Sequence, residues 1–351
     1  MKTNHSIKLV VLSLLIALPI GLFIKAKAQN QSQRAVPPAS TSDYRISGPY
    51  THKNLTIFLV HGKELMPGKN FLTLQEALAQ KKVIVYETKD VNELAIRNLS
   101  NQDVYVQAGD VVRGGEQDRM ISTDFIVPPR SGRMPIAAFC VESDRWSPRG
   151  NEAPASFSSS ENAVATKELK LAGKKAGSQE AVWESVKVAQ GKLSANLEAS
   201  VNATRSSSSY ELSVETPKVR QTTAQYVSAL SNIVQGKSDV IGYVFAINGH
   251  VNSADVYASR SLFVKLWPKL LKASAVEAIA ELNQKEAAEP VVAETVHTFL
   301  GESEGAGGGG TKEVTRRVKL VTREDDKNIF FETRDRNDKD NWVHRNYIRK
   351  Q

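Results

Sequence analysis

The sequence predicts an α+β protein: an antiparallel, β-rich N-terminal half packed with a helical C-terminal half that contains one β-hairpin. Three observations carry this. Between Leu55 and Val141, short β-branched and apolar runs recur with turn residues between them, a pattern that suits an antiparallel sheet or sandwich better than alternating βαβ units. After Gln179, apolar residues fall at helical spacing. Asn248-Gly249 lies between two β-prone runs, and this dipeptide suits a type I′ turn, whose two central residues both need positive φ.

In chain order, Leu55–Val60 is a continuous apolar strand that ends at Gly62. Thr73 can cap a short helix over Leu74–Gln80, with Gln75 and Glu76 well placed in its first turn. Strands follow at Val83–Glu87, Asn92–Leu99, Asp103–Ala108, Val111–Val112, Met120–Val127 and Met134–Val141, with Ser100-Asn101 marking one turn. Ser147–Ser160 holds Pro148, Gly150, Pro154 and a serine run, and reads as a long loop. Gln179–Val201 presents Val182, Val186, Ala189, Leu193 and Leu197 on one helical face, and Thr223–Gln235 presents Tyr226, Leu230 and Val234. Ser206–Ser209 between them reads as an exposed loop. Asp239–Ile247 and Val251–Tyr257 are the hairpin arms. The clearest helix starts at Ser259 or Ser261; Pro268 inside it removes one intrahelical bond and predicts a kink or a restart. Val291–Leu300 is a last short helix. Val314–Val321, Ile329–Thr333 and Trp342–Ile348 are three charged, β-prone runs.

Organisation follows from composition. Residues 1–28 read as a signal peptide: Lys2 and Lys8 precede the apolar stretch Leu9–Ile24, and Ala26-Lys27-Ala28 supplies a small-x-small cleavage pattern. The apolar stretch is short against the about 20 residues a span needs, and Pro19 and Gly21 interrupt it. Cleavage is therefore expected, and a membrane would be met only through an uncleaved segment. The expected location is extracytoplasmic, periplasmic or secreted. Residues 29–49 form a linker, 50–300 the main domain, 301–311 a glycine-rich flexible linker, and 312–351 a basic, β-prone C-terminal segment. The net charge of +8 belongs to the two ends: residues 1–28 hold four lysines and no acid, and 311–351 hold 12 Lys/Arg against 8 Asp/Glu. Residues 29–310 then carry 30 of each sign, which argues against a nucleic-acid-binding face. The lone cysteine, Cys140, rules out an intramolecular disulfide framework and sits in an apolar run, where it reads as a small buried hydrophobe.

The densest chemistry lies in Gly109–Trp146. Gly114-Gly115 lets the backbone approach a ligand and can present amide donors to an anion. Arg113, Arg119 and Arg145 are candidate anion contacts, because a guanidinium can grip a phosphate or carboxylate bidentately. In an extended segment Gln117 faces the same side as Arg119. Glu142, at the end of an apolar strand, is the candidate general base, since burial would raise its pKa. Trp146 could stack on a flat ligand. A structural alternative stays open for the same residues, with Arg119 pairing with Glu116, Asp118 or Glu142 and Arg145 with Glu142. No metal or cofactor is expected: the histidines are scattered without HExxH, and neither GxGxxG after a strand, GxxxxGK[ST] nor GxSxG occurs.

Several blocks together resemble the ADP-ribosylglycohydrolase- and rhodanese-phosphatase-superfamily-associated (ARPP) family: Gly109–Arg119 (GDVVRGGEQDR), Phe139–Trp146 (FCVESDRW), Gln179–Trp183 (QEAVW), Ile241–Ala280 and Phe71–Glu87. The resemblance implies a link to NAD-derived metabolites. The expected function is therefore binding, with processing left open, of a small phosphorylated or nucleotide- or ADP-ribose-derived molecule. The alternative is a non-catalytic envelope interaction or structural protein. Whether the chain is an enzyme, and its oligomeric state, are not decided by these residues.

Overall fold

A computed structural model describes residues 44–149, 157–283 and 290–350. The signal segment 1–28 and residues 29–43 of the expected linker lie outside the described residues. The first part of the chain runs β1 (Arg45–His52), β2 (Leu55–His61), β3 (Leu72–Thr73), α1 (Leu74–Ala79), β4 (Val83–Asp90), β5 (Glu93–Asn98), β6 (Val104–Val106), β7 (Asp110–Gly114), β8 (Arg119–Ile121), β9 (Phe125–Val127), β10 (Met134–Cys140) and β11 (Phe157–Val164). Then come α2 (Lys167–Leu171) with a π-helical turn over Ala172–Ala176, α3 (Gln179–Leu197), α4 (Tyr210–Val214), and α5 (Pro217–Leu230). The last part is β12 (Val240–Ile247), β13 (His250–Tyr257), α6 (Arg260–Ala280), α7 (Ala293–Gly305), β14 (Gly308–Glu313), β15 (Val318–Glu324), β16 (Asn328–Asp335) and β17 (Asn341–Arg349).

These strands make three sheets. The largest has the order β1-β2-β12-β13-β17-β16-β15-β14; the others are β11-β7-β8-β10-β5-β4 and β3-β6-β9. Every residue of β12 is buried, because helices cover both faces of the large sheet. On one face, Tyr243 meets Trp267 of α6 edge-on at 5.4 Å between ring centroids, and α3 and α5 add to that core. On the other face, Val296, Phe299 and Leu300 of α7 pack with Phe58, Val244 and Tyr347. A smaller apolar core, including Val85, Ile96, Val104 and Ile136, lies among the strands of the two other sheets.

The α+β class holds, but the helical C-terminal half does not. Six strands, β12 to β17, follow the midpoint and build most of the eight-stranded sheet. The cause is long-range pairing: β17 adds antiparallel to the outer edge of the hairpin, with Tyr257 opposite His344 and Ser253 opposite Ile348. The remaining strands extend the sheet from there. Charged, alternating runs that look too polar to stand alone become stable once one face lies on a shared core. Residues 301–311, read as a glycine-rich linker, are carried by the end of α7 and the start of β14, where Gly309 holds φ +118° against Thr322.

Local signals behave as chemistry dictates. Thr73 accepts from the Glu76 amide while the Glu76 side chain accepts from the Thr73 amide, a complete capping box. Asn248 and Gly249 both adopt positive φ, 49° and 76°, in the hairpin turn. Ser259 caps α6, and Pro268 sits inside that helix. Other boundaries move. The run Met120–Val127 is cut at Ser122–Asp124, sending β8 and β9 to different sheets. α5 begins at Pro217, six residues before the expected start, with the proline at a first-turn position where its missing N–H costs nothing. Ser209, expected in an exposed loop, is fully buried and caps α4.

Candidate functional site

The β7–β8 hairpin and the end of β10 bring most of the predicted site residues together. β7 and β8 pair with Val112 opposite Arg119, and β8 pairs with β10 with Arg119 opposite Cys140. Between β7 and β8, Gly114 and Gly115 take φ of 130° and 55°. A Cβ at Gly115 would stand 2.5 Å from the Phe157 ring and 2.6 Å from Glu87 Oε2, so any larger residue would have to displace both side chains.

The anion held by this turn is the chain's own. The Gly114 amide donates to Asp118 Oδ1 at 3.1 Å. Arg149 Nη2 reaches the same oxygen at 2.7 Å, and Ser209 Oγ donates to Asp118 Oδ2 at 3.3 Å. The Asp118 amide in turn donates to Glu142 Oε2 at 3.3 Å. Arg145 binds Glu142 Oε2 through Nε at 2.8 Å, donates from Nη1 to the Gly115 carbonyl at 3.0 Å, and stands 3.5 Å from Asp118 Oδ1. Two carboxylates and two guanidiniums thus share a buried volume, with formal charges in balance. Burial pushes Asp118 up to about 6, with Glu142 adding to that and Arg149 and Arg145 opposing it. Glu142 Oε1 is buried, with no hydrogen-bond partner among the described residues; Arg149 Nη1 lies 3.6 Å away.

Gln117 and Arg119 do face one way, and they meet at Cys140. Cys140 Sγ donates to Gln117 Oε1 at 2.7 Å, and Arg119 Nη1 donates to that sulfur at 2.7 Å. Gln117 Nε2 also ties the Glu142 carbonyl at 2.9 Å. Arg119 is 1 % exposed and its Nη atoms also reach the Val91 carbonyl and Glu87, at 2.8 and 3.3 Å, while its Nε has no hydrogen-bond partner among the described residues. Glu87, 32 residues before Arg119, is its carboxylate partner in place of the three expected acids. Burial pushes the Cys140 thiol up to about 11 against the pull of Arg119, which leaves almost no thiolate at neutral pH. Two predicted residues lie apart from this cluster: Arg113 donates to both oxygens of Glu215, at 3.1 and 3.2 Å, and Trp146 is 56 % exposed.

An open cleft of about 350 Å³ borders the cluster. Ser143 and Asp144, which follow Glu142 directly, form part of its wall; Ser207 and Ser208, which precede Ser209, form another. α3 adds Glu180, Trp183, Glu184 and Lys187. Ser208 Oγ accepts the amides of Ser143 and Asp144, both at 3.1 Å, and so fixes the two walls to each other. The Trp183 indole N–H is buried with no hydrogen-bond partner among the described residues.

Sequence reasoning missed Arg149 and Ser209, both read as loop residues, and left Asp118 among several scattered acids. It also missed a second buried constellation. His344 on β17 lies between Asp124, 2.8 Å from Nδ1, and Asp255 on β13, 3.0 Å from Nε2. Thr333 and the Ala108 amide also donate to Asp124, and Asn346 to Asp255. Tyr257 stacks on the imidazole at 4.5 Å. No local motif announces this group, in which Asp255 and Asp124 lie 89 and 220 residues from His344.

A family model described as the ARG and Rhodanese-Phosphatase-superfamily-associated Protein domain, ARPP-1, matches residues 43–348. No curated protein and no solved structure matches the chain.

Proposed function

The chain belongs to the ARPP-1 family, and from that premise we propose that it is an exported protein that binds, and can process, a small phosphorylated or nucleotide-derived molecule of the ADP-ribose type. The observation that carries this reading is the buried Asp118–Glu142 pair, next in the chain to Ser143 and Asp144, which line an open polar cleft. Asp118, pushed up to about 6, holds a proton over part of the working range and can act as an acid. Glu142 Oε1, with no hydrogen-bond partner among the described residues, is the acceptor left for a ligand hydroxyl or an activated water. The serine and carboxylate walls suit a ribose-like polyol, and the Trp183 N–H supplies an unused donor.

A second reading is favoured by one observation: Arg119 and Arg145 are buried and bonded to protein acceptors. On that reading they are staples, and the chain is a non-catalytic envelope interaction or structural protein.

Thermal stabilisation separates the two. A ligand that binds only the folded state raises the melting temperature. Among ADP-ribose, NAD and nucleoside phosphates, at least one should raise the wild-type midpoint, and Asp118→Asn and Glu142→Gln should each abolish that rise while remaining folded. If no compound shifts the wild type, or if both variants respond as the wild type does, the staple reading replaces the binding one.

A further inference from the structure

We propose that the groove between α4, α5 and α6 is a separate binding site for a small organic phosphate with an aromatic or alkyl body. The groove encloses about 540 Å³ and lies away from the cleft beside Glu142, sharing none of its lining residues. Its floor is apolar, with Val214 from α4, Val227 from α5 and Val276 from α6. Two cations line it, Arg220 on α5 and Lys272 on α6. Arg220 is exposed, and no ion pair holds it among the described residues.

Three features aim this groove at an anion. α5, a helix of 14 residues, opens into it: Pro217 lines the groove, Thr216 offers no side-chain cap, and the first turn carries no acid. The positive end of the helix dipole is therefore not offset by the chain itself. Thr223, nearly two turns into the helix and one turn beyond Arg220, is only 9 % exposed, and its buried Oγ1 has no hydrogen-bond partner among the described residues. A buried hydroxyl without a partner costs free energy unless something fills its demand, and a phosphate oxygen beside Arg220 would do so. The nearest acid on the loop before α5, Glu215, is engaged by Arg113 at 3.1 Å and so does not oppose an anion there. The apolar floor and the volume both exceed what inorganic phosphate could use, which points to an ester with an organic body.

Fluorescence titration with 4-methylumbelliferyl phosphate tests this, with 4-methylumbelliferone and inorganic phosphate as the separated halves. The ester should bind the full chain saturably, and each half at least tenfold more weakly. Arg220→Gln should weaken the ester about tenfold or more, as expected for loss of a charge-assisted hydrogen bond. Thr223→Val, nearly isosteric, should weaken it severalfold with an unchanged melting temperature. Glu142→Gln should leave it intact, which separates this site from the cleft. The proposal is overturned if the wild type shows no saturable binding, if the neutral phenol binds as tightly as the ester, or if Arg220→Gln leaves binding unchanged. Loss of binding in Glu142→Gln but not in Arg220→Gln would also overturn it, by assigning the ester to the Asp118–Glu142 cluster.

Discussion

His344→Leu should be among the most damaging single changes outside the apolar core. Burial works to lower the His344 pKa, but Asp124 and Asp255 outweigh it and raise it, so the two carboxylates favour the charged form of the ring between them. Burial opposes ionisation of both aspartates, yet each is held below the usual carboxylate range, Asp124 by Lys174 and His344, and Asp255 by Lys170 and His344. Removing one partner of a buried pair costs about 3–5 kcal/mol, because the other charge is left unpaired. Here the lower end applies, since Asp124 keeps the Thr333 hydroxyl and the Ala108 amide, and Asp255 keeps Asn346. For roughly 300 residues the unfolding entropy is about 0.6 kcal/mol/K, so a loss of about 3 kcal/mol lowers the melting midpoint by about 5 °C. Calorimetry at pH 6 measures this directly. If the loss is an electrostatic one, adding Asp255→Asn to His344→Leu should restore part of it, with a coupling of at least about 0.5 kcal/mol. Strict additivity of the two substitutions, or a midpoint within 1 °C of the wild type for His344→Leu, would refute the reasoning.

Stability should peak on the acid side of neutrality. Burial raises Asp118 to about 6 and also raises Glu211 and Glu277. A carboxyl with a raised folded pKa contributes stability that is present below its unfolded pKa and lost as pH rises through the folded value. His344, also raised, loses its contribution in the same direction at higher pH. Asp124 and Asp255, both lowered, withdraw theirs as pH falls below about 4. The melting midpoint should therefore be higher near pH 5 than at pH 8, and Asp118→Asn should flatten the slope between pH 4 and 6; a midpoint that climbs steadily to pH 8 contradicts this. The proposed export predicts that protein recovered from its native host begins at Gln29, after Ala26-Lys27-Ala28. Mass spectrometry showing an intact Met1 in the mature chain would exclude cleavage.

What the sequence determined by itself is what short-range chemistry controls. The Thr73 capping box closes over three residues, the Asn248-Gly249 turn needs only its own backbone freedom, and Ser259 finds the Leu262 amide within one helical turn. The Gly114–Arg145 block was legible for a related reason: its residues sit on or directly beside the neighbouring strands β7, β8 and β10, so a compact stretch of sequence becomes a compact cluster. The family resemblance rested on the same blocks. Tertiary structure alone decided the rest. Polar side chains take whichever partner lies across the fold, and Glu87 reaches Arg119, Arg149 reaches Asp118, and Asp124 and Asp255 reach His344 with no periodicity to announce it. The same holds for the sheet. A charged β-prone run carries no mark of the edge it will join, and β17 becomes an interior strand only because β13 leaves an unpaired row of backbone donors and acceptors beside it.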